Sequence, residues 1–383
     1  MITRAIAEKV KYLATKFPVI TLTGARQCGK STLLKMEFPE YRYISLEAPD
    51  IRNFAVEDPR GFLSNFNGRL ILDEVQYVPQ LFSYIQTKVD ETNSEGQYIL
   101  SGSQNFLLME KISQSLAGRT AVLKLGTLSY QELKSTIYRP ENLNDWLYTG
   151  GYPRIYDKSI APSDFYPSYI QTYLERDVQS LRNIGNMTKF IRFLKLCAAR
   201  IGQLLNVSSL ANECDISIPT ANVWLSILES SFVVYLLKPY YQNNINKRLV
   251  KSPKLYFFDT GLAASLLGLN DVRQIETHYL RGELFENMVI SEFIKKFYAS
   301  GTEPDIYFWQ DSNKNEVDLL VRDGLNINAY EIKSNATLNM KFFKTPQLLQ
   351  KTENMNISTI SVIYGGDADY ETSIGKFLSW RNL

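Results

Sequence analysis

The apolar positions in the first third of the chain form short continuous runs, and between the runs they recur at helical spacing. The runs predict five strands, at residues 19–22, 43–46, 69–72, 97–102 and 121–125. The intervening segments predict helices, including residues 3–17, 59–66 and 106–117. Strands that alternate with helices pair in parallel through right-handed connections. Residues 1–137 are therefore predicted to form an α/β domain around a parallel sheet.

The pattern changes after residue 137. Residues 138–185 predict helices broken by a turn, which would form a connector or lid. Residues 186–260 hold three helical segments and then two apolar strands, the order of a winged helix-turn-helix. Residues 276–383 predict a helix, three strands, a second helix and a further strand.

Composition excludes several classes of site. The 383 residues carry a net charge of +2, so no global field favours nucleic acid or membrane. A single histidine, His278, leaves almost nothing from which to build a zinc site or a Ser-His-Asp triad. Three widely spaced cysteines indicate reduced thiols, and no apolar run is long enough to span a membrane. We expect a cytoplasmic protein without membrane contact.

The segment after the first strand carries candidate chemistry. Gly24, Gly29, Lys30 and Ser31 satisfy the pattern G-x4-G-K-[ST] between a strand and a helix, which is a P-loop. Glycines let backbone N–H groups face phosphate oxygens, and the helix places its positive dipole end there. Lys30 would reach the β- and γ-phosphates of ATP, and Ser31 would bind Mg²⁺. The predicted nucleotide-binding residues are Gly24, Ala25, Arg26, Gln27, Cys28, Gly29, Lys30, Ser31, Thr32 and Ser103.

The third strand ends in two acids, Asp73 and Glu74. Asp73 would hold the Mg²⁺ shell and Glu74 would polarise the attacking water. The fourth strand ends in small polar residues. In P-loop ATPases whose catalytic Glu sits beside the metal Asp, the corresponding strand lies between the P-loop strand and the Asp-Glu strand, and we expect the same order here. Ser103 or Gln104 would then face the γ-phosphate.

Arg119 precedes the fifth predicted strand. It would supply charge to the transition state, in its own chain or in a neighbouring subunit of an oligomer. The alternative, of about equal weight, is a surface arginine paired with a carboxylate.

The last domain contains acidic residues at suggestive spacing. Glu331 and Lys333 share one face of a strand, and a hairpin brings Asp318 near that face. With Glu286 in the leading helix, these carboxylates would bind Mg²⁺, and Lys333 would activate water against a phosphodiester. This is the arrangement of restriction-endonuclease-like nucleases, and the element order matches their core. The alternative is an interaction platform with ordinary surface charges.

Residues 186–258 carry nine lysines and arginines against three acids, a net of +6. This favours contact with a nucleic-acid backbone. The predicted recognition helix, residues 218–229, contains no lysine or arginine, and only Asn222 is suited to reading bases. Non-specific DNA binding and a structural or protein-binding winged helix both remain open.

Several motifs together resemble a prokaryotic family of AAA-superfamily ATPases whose C-terminal domain is of unknown function and restriction-endonuclease-like. These motifs are residues 24–31, 72–76, 101–103, 116–119, 150–153 and 173–178, with residues 282–286, 316–318 and 331–333 for the last domain. The resemblance covers nearly the whole chain and implies ATP and Mg²⁺ binding, with a winged helix before the C-terminal domain. Cys28 departs from the aliphatic residue more usual in such loops.

The expected fold class is α/β: a P-loop ATPase parallel sheet, a helical connector and winged helix, and an α/β restriction-endonuclease-like domain. The expected function is a nucleotide-driven switch that hydrolyses ATP and is directed at DNA by a nuclease-like domain. The alternative is a signalling or scaffold ATPase whose later domains bind protein partners without cleaving DNA.

Overall fold

The computed structural model describes residues 2–92, 94–103, 115–174, 186–240, 251–352 and 355–383. The chain divides into two units, which are treated separately below. The first comprises residues 1–128, 230–232 and 295–303, and the second comprises residues 129–229, 233–294 and 304–383.

A five-stranded parallel sheet forms the centre of the first unit, in the order β2-β3-β4-β1-β5. Its strands are β1 (Val19–Gly24), β2 (Arg42–Ser45), β3 (Leu70–Asp73), β4 (Tyr98–Gly102) and β5 (Thr120–Leu125). The helices are α1 (Ala7–Ala14), α2 (Lys30–Glu37), α3 (Pro49–Glu57), α4 (Pro59–Asn65) and α5 (Leu81–Thr92).

The burial of the strands explains their continuous apolar runs. All residues of β1, β3 and β4 are buried, as expected for the inner strands of a parallel sheet covered on both faces. The predicted position of β4, between β1 and β3, is confirmed by the pairing. Most of the helix predicted at residues 106–117 lies outside the described residues.

The second unit begins with short helices: α6 (Tyr130–Lys134), α7 (Leu143–Thr149), α8 (Pro153–Asp157) and α9 (Pro162–Tyr169). The Gly150-Gly151 turn after α7 packs against the buried carboxylate of Asp259. Asp259 Oδ2 accepts a hydrogen bond from Gly151 N at 2.8 Å, and Oδ1 accepts one from the Tyr166 hydroxyl at 2.7 Å. The glycine motif therefore has a structural role here.

Three helices and an antiparallel hairpin follow, in the order predicted for a winged helix. The helices are α10 (Met187–Ala198), α11 (Val207–Glu213) and α12 (Ile218–Ser230), and the strands are β6 (Val234–Leu237) and β7 (Lys254–Phe257). Residues 241–250, which include Lys247 and Arg248, lie outside the described residues. Beyond β6, Tyr240 N donates to Phe308 O at 2.7 Å and so joins the hairpin to the C-terminal sheet.

The C-terminal part of the second unit is a mixed sheet of six strands, ordered β12-β13-β11-β10-β9-β8. Its strands are β8 (Ile306–Gln310), β9 (Glu316–Asp323), β10 (Asn326–Lys333), β11 (Ile357–Tyr364), β12 (Tyr370–Thr372) and β13 (Gly375–Ser379). Its helices are α13 (Thr260–Leu266), α14 (Arg273–Thr277), α15 (Arg281–Ser300) and α16 (Lys344–Thr352). The predicted order of helix, three strands, helix and strand is present, and β12 and β13 extend it.

Within the described part of the chain, no helix combines the length and the apolar character that crossing a membrane requires.

Gly150 should be among the least replaceable glycines of the second unit. Its φ is +63°, and an added Cβ would lie 2.3 Å from Asp259 Oδ1 and 2.5 Å from the Tyr166 hydroxyl. Gly268 has a similar φ of +82° with open space around it, so Gly268→Ala is a matched control. Chemical denaturation should show a loss of about 1 kcal/mol for Gly268→Ala and a further ~1–3 kcal/mol for Gly150→Ala. Equal losses would contradict the packing described for the turn.

Candidate nucleotide site

The loop between β1 and α2 has the backbone that its glycines predict. Gly24 has φ +155°, and an added Cβ would lie 2.2 Å from the carbonyl oxygen of Leu125 on β5. Gly29 precedes α2 with φ +96°, a left-handed conformation that glycine adopts without strain. The loop therefore turns tightly against β5 and presents the start of α2 at the carboxyl end of the sheet.

Lys30 is buried, with 5% of its surface exposed, and its ammonium lies within the loop. Its Nζ donates to the carbonyl oxygens of Gly24 at 3.0 Å and Ala25 at 2.9 Å. In this arrangement the loop's own carbonyls satisfy the cation. A bound phosphate would have to replace these two hydrogen bonds.

Arg4 anchors the loop from the N-terminal segment and was not predicted as a site residue. Its Nη1 donates to the carbonyl of Cys28 at 2.7 Å, and its Nη2 donates to the carbonyl of Gly126 at 2.8 Å. One buried guanidinium therefore links the P-loop to the segment that follows β5.

Asp73 is 4% exposed and receives hydrogen bonds from four donors. Oδ2 accepts from the Ser31 hydroxyl at 2.6 Å and the Tyr43 hydroxyl at 2.5 Å. Oδ1 accepts from the Ser101 hydroxyl at 2.5 Å and from Glu74 N at 3.1 Å. Burial alone would raise the pKa of Asp73, but the hydrogen bonds from Ser101, Ser31 and Tyr43 outweigh it and lower the pKa. The carboxylate is therefore stabilised in its charged form.

These residues fit a magnesium ion. Mg²⁺ is usually bound through one or two carboxylates together with waters and substrate phosphates. Ser31 and Asp73 provide a hydroxyl and an ionised carboxylate in direct contact. Their role as metal ligands stays a prediction.

Glu74 follows Asp73 in a left-handed conformation, with φ +54° and ψ +43°. Its Oε2 accepts hydrogen bonds from Gln76 Nε2 and from the Ser103 hydroxyl, the latter at 3.1 Å. The carbonyl oxygen of the Gln76 side chain is buried and has no hydrogen-bond partner among the described residues. Glu74 is thus fixed by two polar side chains at the end of β3 and β4. Gln104 lies outside the described residues.

The remaining predicted loop residues have more ordinary surroundings. Arg26 Nη2 lies 3.5 Å from the carboxylate of Glu47, and Cys28 is a fully buried free cysteine. Gln27 has a left-handed φ of +60°, and Thr32 is exposed.

The prediction that Arg119 acts on phosphates bound to its own chain is wrong. Thr120 pairs with Val19 at the start of β1, whereas Leu125 pairs with Gly24 at the P-loop end. The backbone of Arg119 therefore lies roughly 20 Å from the P-loop end of the sheet. Its guanidinium forms a bidentate ion pair with Asp90, at 2.6 and 2.9 Å, which is the alternative considered for it. A role in a neighbouring subunit stays a prediction.

In the second unit, the predicted acidic residues of the last domain lie in a network of buried charges. Lys333 Nζ lies 2.7 Å from Glu331 Oε1 and 3.4 Å from Asp318 Oδ2. Lys254, on β7, lies 3.1 Å from Glu286 Oε1.

Lys254 was not predicted as part of this network, although it is its most buried cation, with 3% of its surface exposed. Its ammonium also lies 2.5 Å from Glu316 Oε1. Burial alone would lower the pKa of Lys254, but Glu286 and Glu316 outweigh it and raise the pKa. This lysine stays charged and neutralises two carboxylates.

The metal site predicted for Glu286, Asp318 and Glu331 is not assembled. Within the described residues, no group of three or more Asp, Glu, His or Cys side chains could hold a metal ion. Lys254 contacts Glu286, and Lys333 contacts Asp318 and Glu331, while Glu331 Oε2 is buried without a hydrogen-bond partner among the described residues. Burial raises the pKa of Glu286 to about 7 and that of Glu331 to about 8.

The basic residues of the winged-helix region are only partly available. Lys189 pairs with Asp215 at 2.6 Å, Arg200 pairs with Glu213, and Lys254 is buried in the network described above. Among the described residues, three of the counted cations therefore have ion-pair partners within the protein.

Comparisons with known proteins identify similar domains and relatives. Residues 16–134 match a family described as an AAA domain, and residues 140–273 and 281–383 match two domains of unknown function, DUF8612 and DUF4143. An uncharacterized protein of Mycobacterium tuberculosis is 30% identical over 379 residues, which are 97% of this chain and 81% of that protein. The chain belongs to the same family as this mycobacterial protein. The first unit of this chain contains an AAA-type P-loop ATPase domain.

More distant relatives are similar over most of their length. An uncharacterized protein of Methanocaldococcus jannaschii is 23% identical over 389 residues, covering 92% of this chain and 83% of that protein.

Among solved structures, the Walker-type ATPase of Pyrococcus abyssi is 15% identical and has a TM-score of 0.45. The match covers 68% of this chain and 94% of the Pyrococcus chain. AMPPCP-bound DnaA from Aquifex aeolicus is 17% identical, covers 58% of this chain and 85% of its own, and has a TM-score of 0.30. At TM-scores this low, neither structure adds to the assignment.

Tyr43 should position Asp73 in this AAA-type domain. When the Ser31 hydroxyl turns toward a metal, the Tyr43 hydroxyl remains to orient the same carboxylate oxygen. Tyr43→Phe removes a hydrogen bond to a charged group, worth ~1.5–3 kcal/mol, so Mg²⁺-dependent nucleotide affinity should fall about tenfold or more. Nucleotide affinity in EDTA should not change. Tyr41→Phe is the matched control, because its hydroxyl donates to the carbonyl of Gly96 instead. Equal effects of the two variants in calorimetry would contradict this role.

The buried glutamates of the second unit should make its stability depend on pH. Because the pKa of Glu331 is raised from 4.5 to about 8, the folded chain binds more protons than the unfolded chain between these values. Stability must then fall as pH rises through that window. Glu331→Gln stays neutral, so its melting temperature should fall less than that of the wild type between about pH 5 and pH 8. The exposed Glu141→Gln should follow the wild type; a Glu331→Gln profile parallel to the wild type would contradict the raised pKa.

Proposed function

We propose that the protein is a Mg²⁺-dependent ATPase that acts as a nucleotide-driven switch. The observation that carries this proposal is the direct 2.6 Å contact between Ser31 of the P-loop helix and the ionised Asp73. It joins the two halves of a nucleotide site, which lie 42 residues apart in the sequence. The AAA-type family of the first unit supports nucleotide binding.

Each residue of the site has a separate task in this proposal. Backbone N–H groups of residues 24–31 and the start of α2 would hold the phosphates, and Lys30 would balance their charge. A magnesium ion held by Ser31 and Asp73 would neutralise charge on the β- and γ-phosphates. Glu74 would orient a water and accept its proton, with Gln76 and Ser103 keeping the carboxylate in place.

The switch would depend on contacts that differ between states. In this structure Lys30 bonds to the carbonyls of Gly24 and Ala25, and Ser31 bonds to Asp73. Nucleotide would replace both sets of bonds. A ligand shifts a conformational equilibrium only through such differential contacts. Arg4 bonds to Cys28 in the loop and to Gly126 after β5, so a movement of the loop would alter the hydrogen bonds of Arg4 directly.

For the C-terminal domain we propose a role in binding a protein partner, without DNA cleavage. The observation that favours this second function is the burial of Lys254 between Glu286 and Glu316. Its ammonium group contacts Glu286 and would compete with a metal ion for that carboxylate. Binding of DNA by the remaining basic residues is not needed for this role.

Glu74→Gln tests the proposed ATPase. Loss of the general base should lower ATP turnover about 10²–10⁴-fold, while the affinity for ATP stays within about twofold of the wild type. Glu40→Gln, an exposed glutamate after α2, is the control and should keep full turnover. Release of inorganic phosphate and binding of a fluorescent ATP analogue measure the two quantities. Undiminished turnover in Glu74→Gln would contradict the assignment.

DNA cleavage tests the second proposal. Purified protein should leave supercoiled and single-stranded DNA intact with Mg²⁺ or Mn²⁺, with or without ATP. Lys333→Ala should behave like the wild type in this assay. Metal-dependent cleavage that disappears in Lys333→Ala would instead make the charged network a nuclease centre.

A further inference from the structure

A polar pocket of about 510 Å³ lies in the second unit, where β10 and β11 end. These two strands are parallel, and a crevice outside the carboxyl ends of parallel strands is a common position for ligands. The volume is within the range of small-molecule sites. The loop after β10 lies close to Gly365, whose added Cβ would be 2.3 Å from the carbonyl oxygen of Ser334. Gly365 thus lets the two loops approach and form one wall.

Two polar atoms in this pocket are buried without partners among the described residues. Arg281 Nε is an unused donor, and Asn144 Oδ1 is an unused acceptor. Leaving a buried donor or acceptor unsatisfied costs about 1–3 kcal/mol, and native proteins avoid it unless a ligand or water completes the bond. A donor and an acceptor left open in one pocket indicate a polar occupant.

Arg281 is the cation that this pocket has available. Its Nη1 donates to the carbonyl of Ser334 at 3.1 Å, and no carboxylate of the described residues forms an ion pair with it. The other arginine of the pocket, Arg381, donates from each of its three nitrogens, to Asp367, the Tyr130 hydroxyl and the carbonyl of Glu141. A guanidinium that has no carboxylate partner and whose Nε makes no hydrogen bond among the described residues is suited to binding an oxyanion.

The acceptors of the pocket define the other end of the ligand. Asn144 Oδ1 has no hydrogen-bond partner among the described residues, and the exposed carboxylate of Glu276 also lines the pocket. Both groups accept hydrogen bonds, and the carboxylate of Glu276 would repel a purely anionic molecule. A ligand with an oxyanion at one end and a hydrogen-bond donor at the other satisfies both sides.

We propose that this pocket binds a small molecule carrying a carboxylate or phosphate oxyanion together with a hydrogen-bond donor. The oxyanion contacts the guanidinium of Arg281, and the donor contacts Asn144 Oδ1. The site is separate from the nucleotide loop, and the proposal does not depend on ATP hydrolysis.

Calorimetric titration of the full chain tests it with three probes: inorganic phosphate, succinate and aspartate. Phosphate and succinate distinguish the two oxyanion sources, and aspartate is succinate with an ammonium donor in place of one hydrogen. A saturating non-hydrolysable ATP analogue with Mg²⁺ keeps the P-loop occupied, so that added phosphate cannot bind there. Aspartate should bind more tightly than succinate if the oxyanion is a carboxylate.

Arg281→Gln should weaken binding of the preferred probe about tenfold or more, since it removes a charged hydrogen bond. Arg139→Gln, an exposed arginine outside the pocket, should have no effect. If Arg281→Gln fails to fold, as a melting curve would show, Asn144→Asp gives an independent test. It should weaken succinate and phosphate more than aspartate, because the added negative charge repels both anions, whereas the ammonium group of aspartate lies beside it. Binding unchanged in the folded pocket variants, or no binding of any probe up to ~10 mM, would overturn the proposal.

Discussion

The buried carboxylate of Asp73 is the constraint on which the candidate nucleotide site depends. An ionised group that is 4% exposed is tolerated only when donors surround it. Its side-chain donors come from the start of α2, from β2 and from β4, through Ser31, Tyr43 and Ser101. These elements must therefore be in register before the carboxylate is stable. The strand order β2-β3-β4-β1 provides that register, and it also places Ser103 against Glu74.

The two units treat buried carboxylates in opposite ways. Hydroxyl groups surround Asp73 and keep its pKa low, so the charge is retained and a cation can still be attracted. In the second unit, Lys254 and Lys333 are the neighbouring cations. Burial raises the pKa values of Glu286 and Glu331 although these lysines act in the opposite direction. Buried ion pairs of this kind contribute little net stability, although removing one partner is costly. The first arrangement suits a site that binds a metal reversibly, and the second suits a fixed framework that presents a surface to a partner.

Local motifs account for what could be predicted from the sequence. The α/β fold class is confirmed, because it depends on apolar runs and short connections. The position of β4 between β1 and β3 is also confirmed, and it was expected from the strand order of P-loop ATPases whose third strand ends in Asp-Glu. Residues whose roles arise from distant pairing were missed. Arg4 and Cys28 are 24 residues apart, and Lys254 and Glu286 are 32 residues apart, so no spacing along the chain indicates either contact. Arg119 was misassigned although its position was predictable: a residue that precedes a parallel strand lies at the end of the sheet away from a loop that follows a neighbouring strand.

A crystal structure with Mg²⁺ and a non-hydrolysable ATP analogue tests the central claim most directly. The account predicts that Lys30 Nζ leaves the carbonyls of Gly24 and Ala25 for the β- and γ-phosphates. It also predicts that the Ser31 hydroxyl moves from Asp73 Oδ2 to the metal, while the Tyr43 hydroxyl stays on Asp73. A structure at saturating nucleotide in which Lys30 and Ser31 keep their present partners, with no phosphate in the loop, would contradict it.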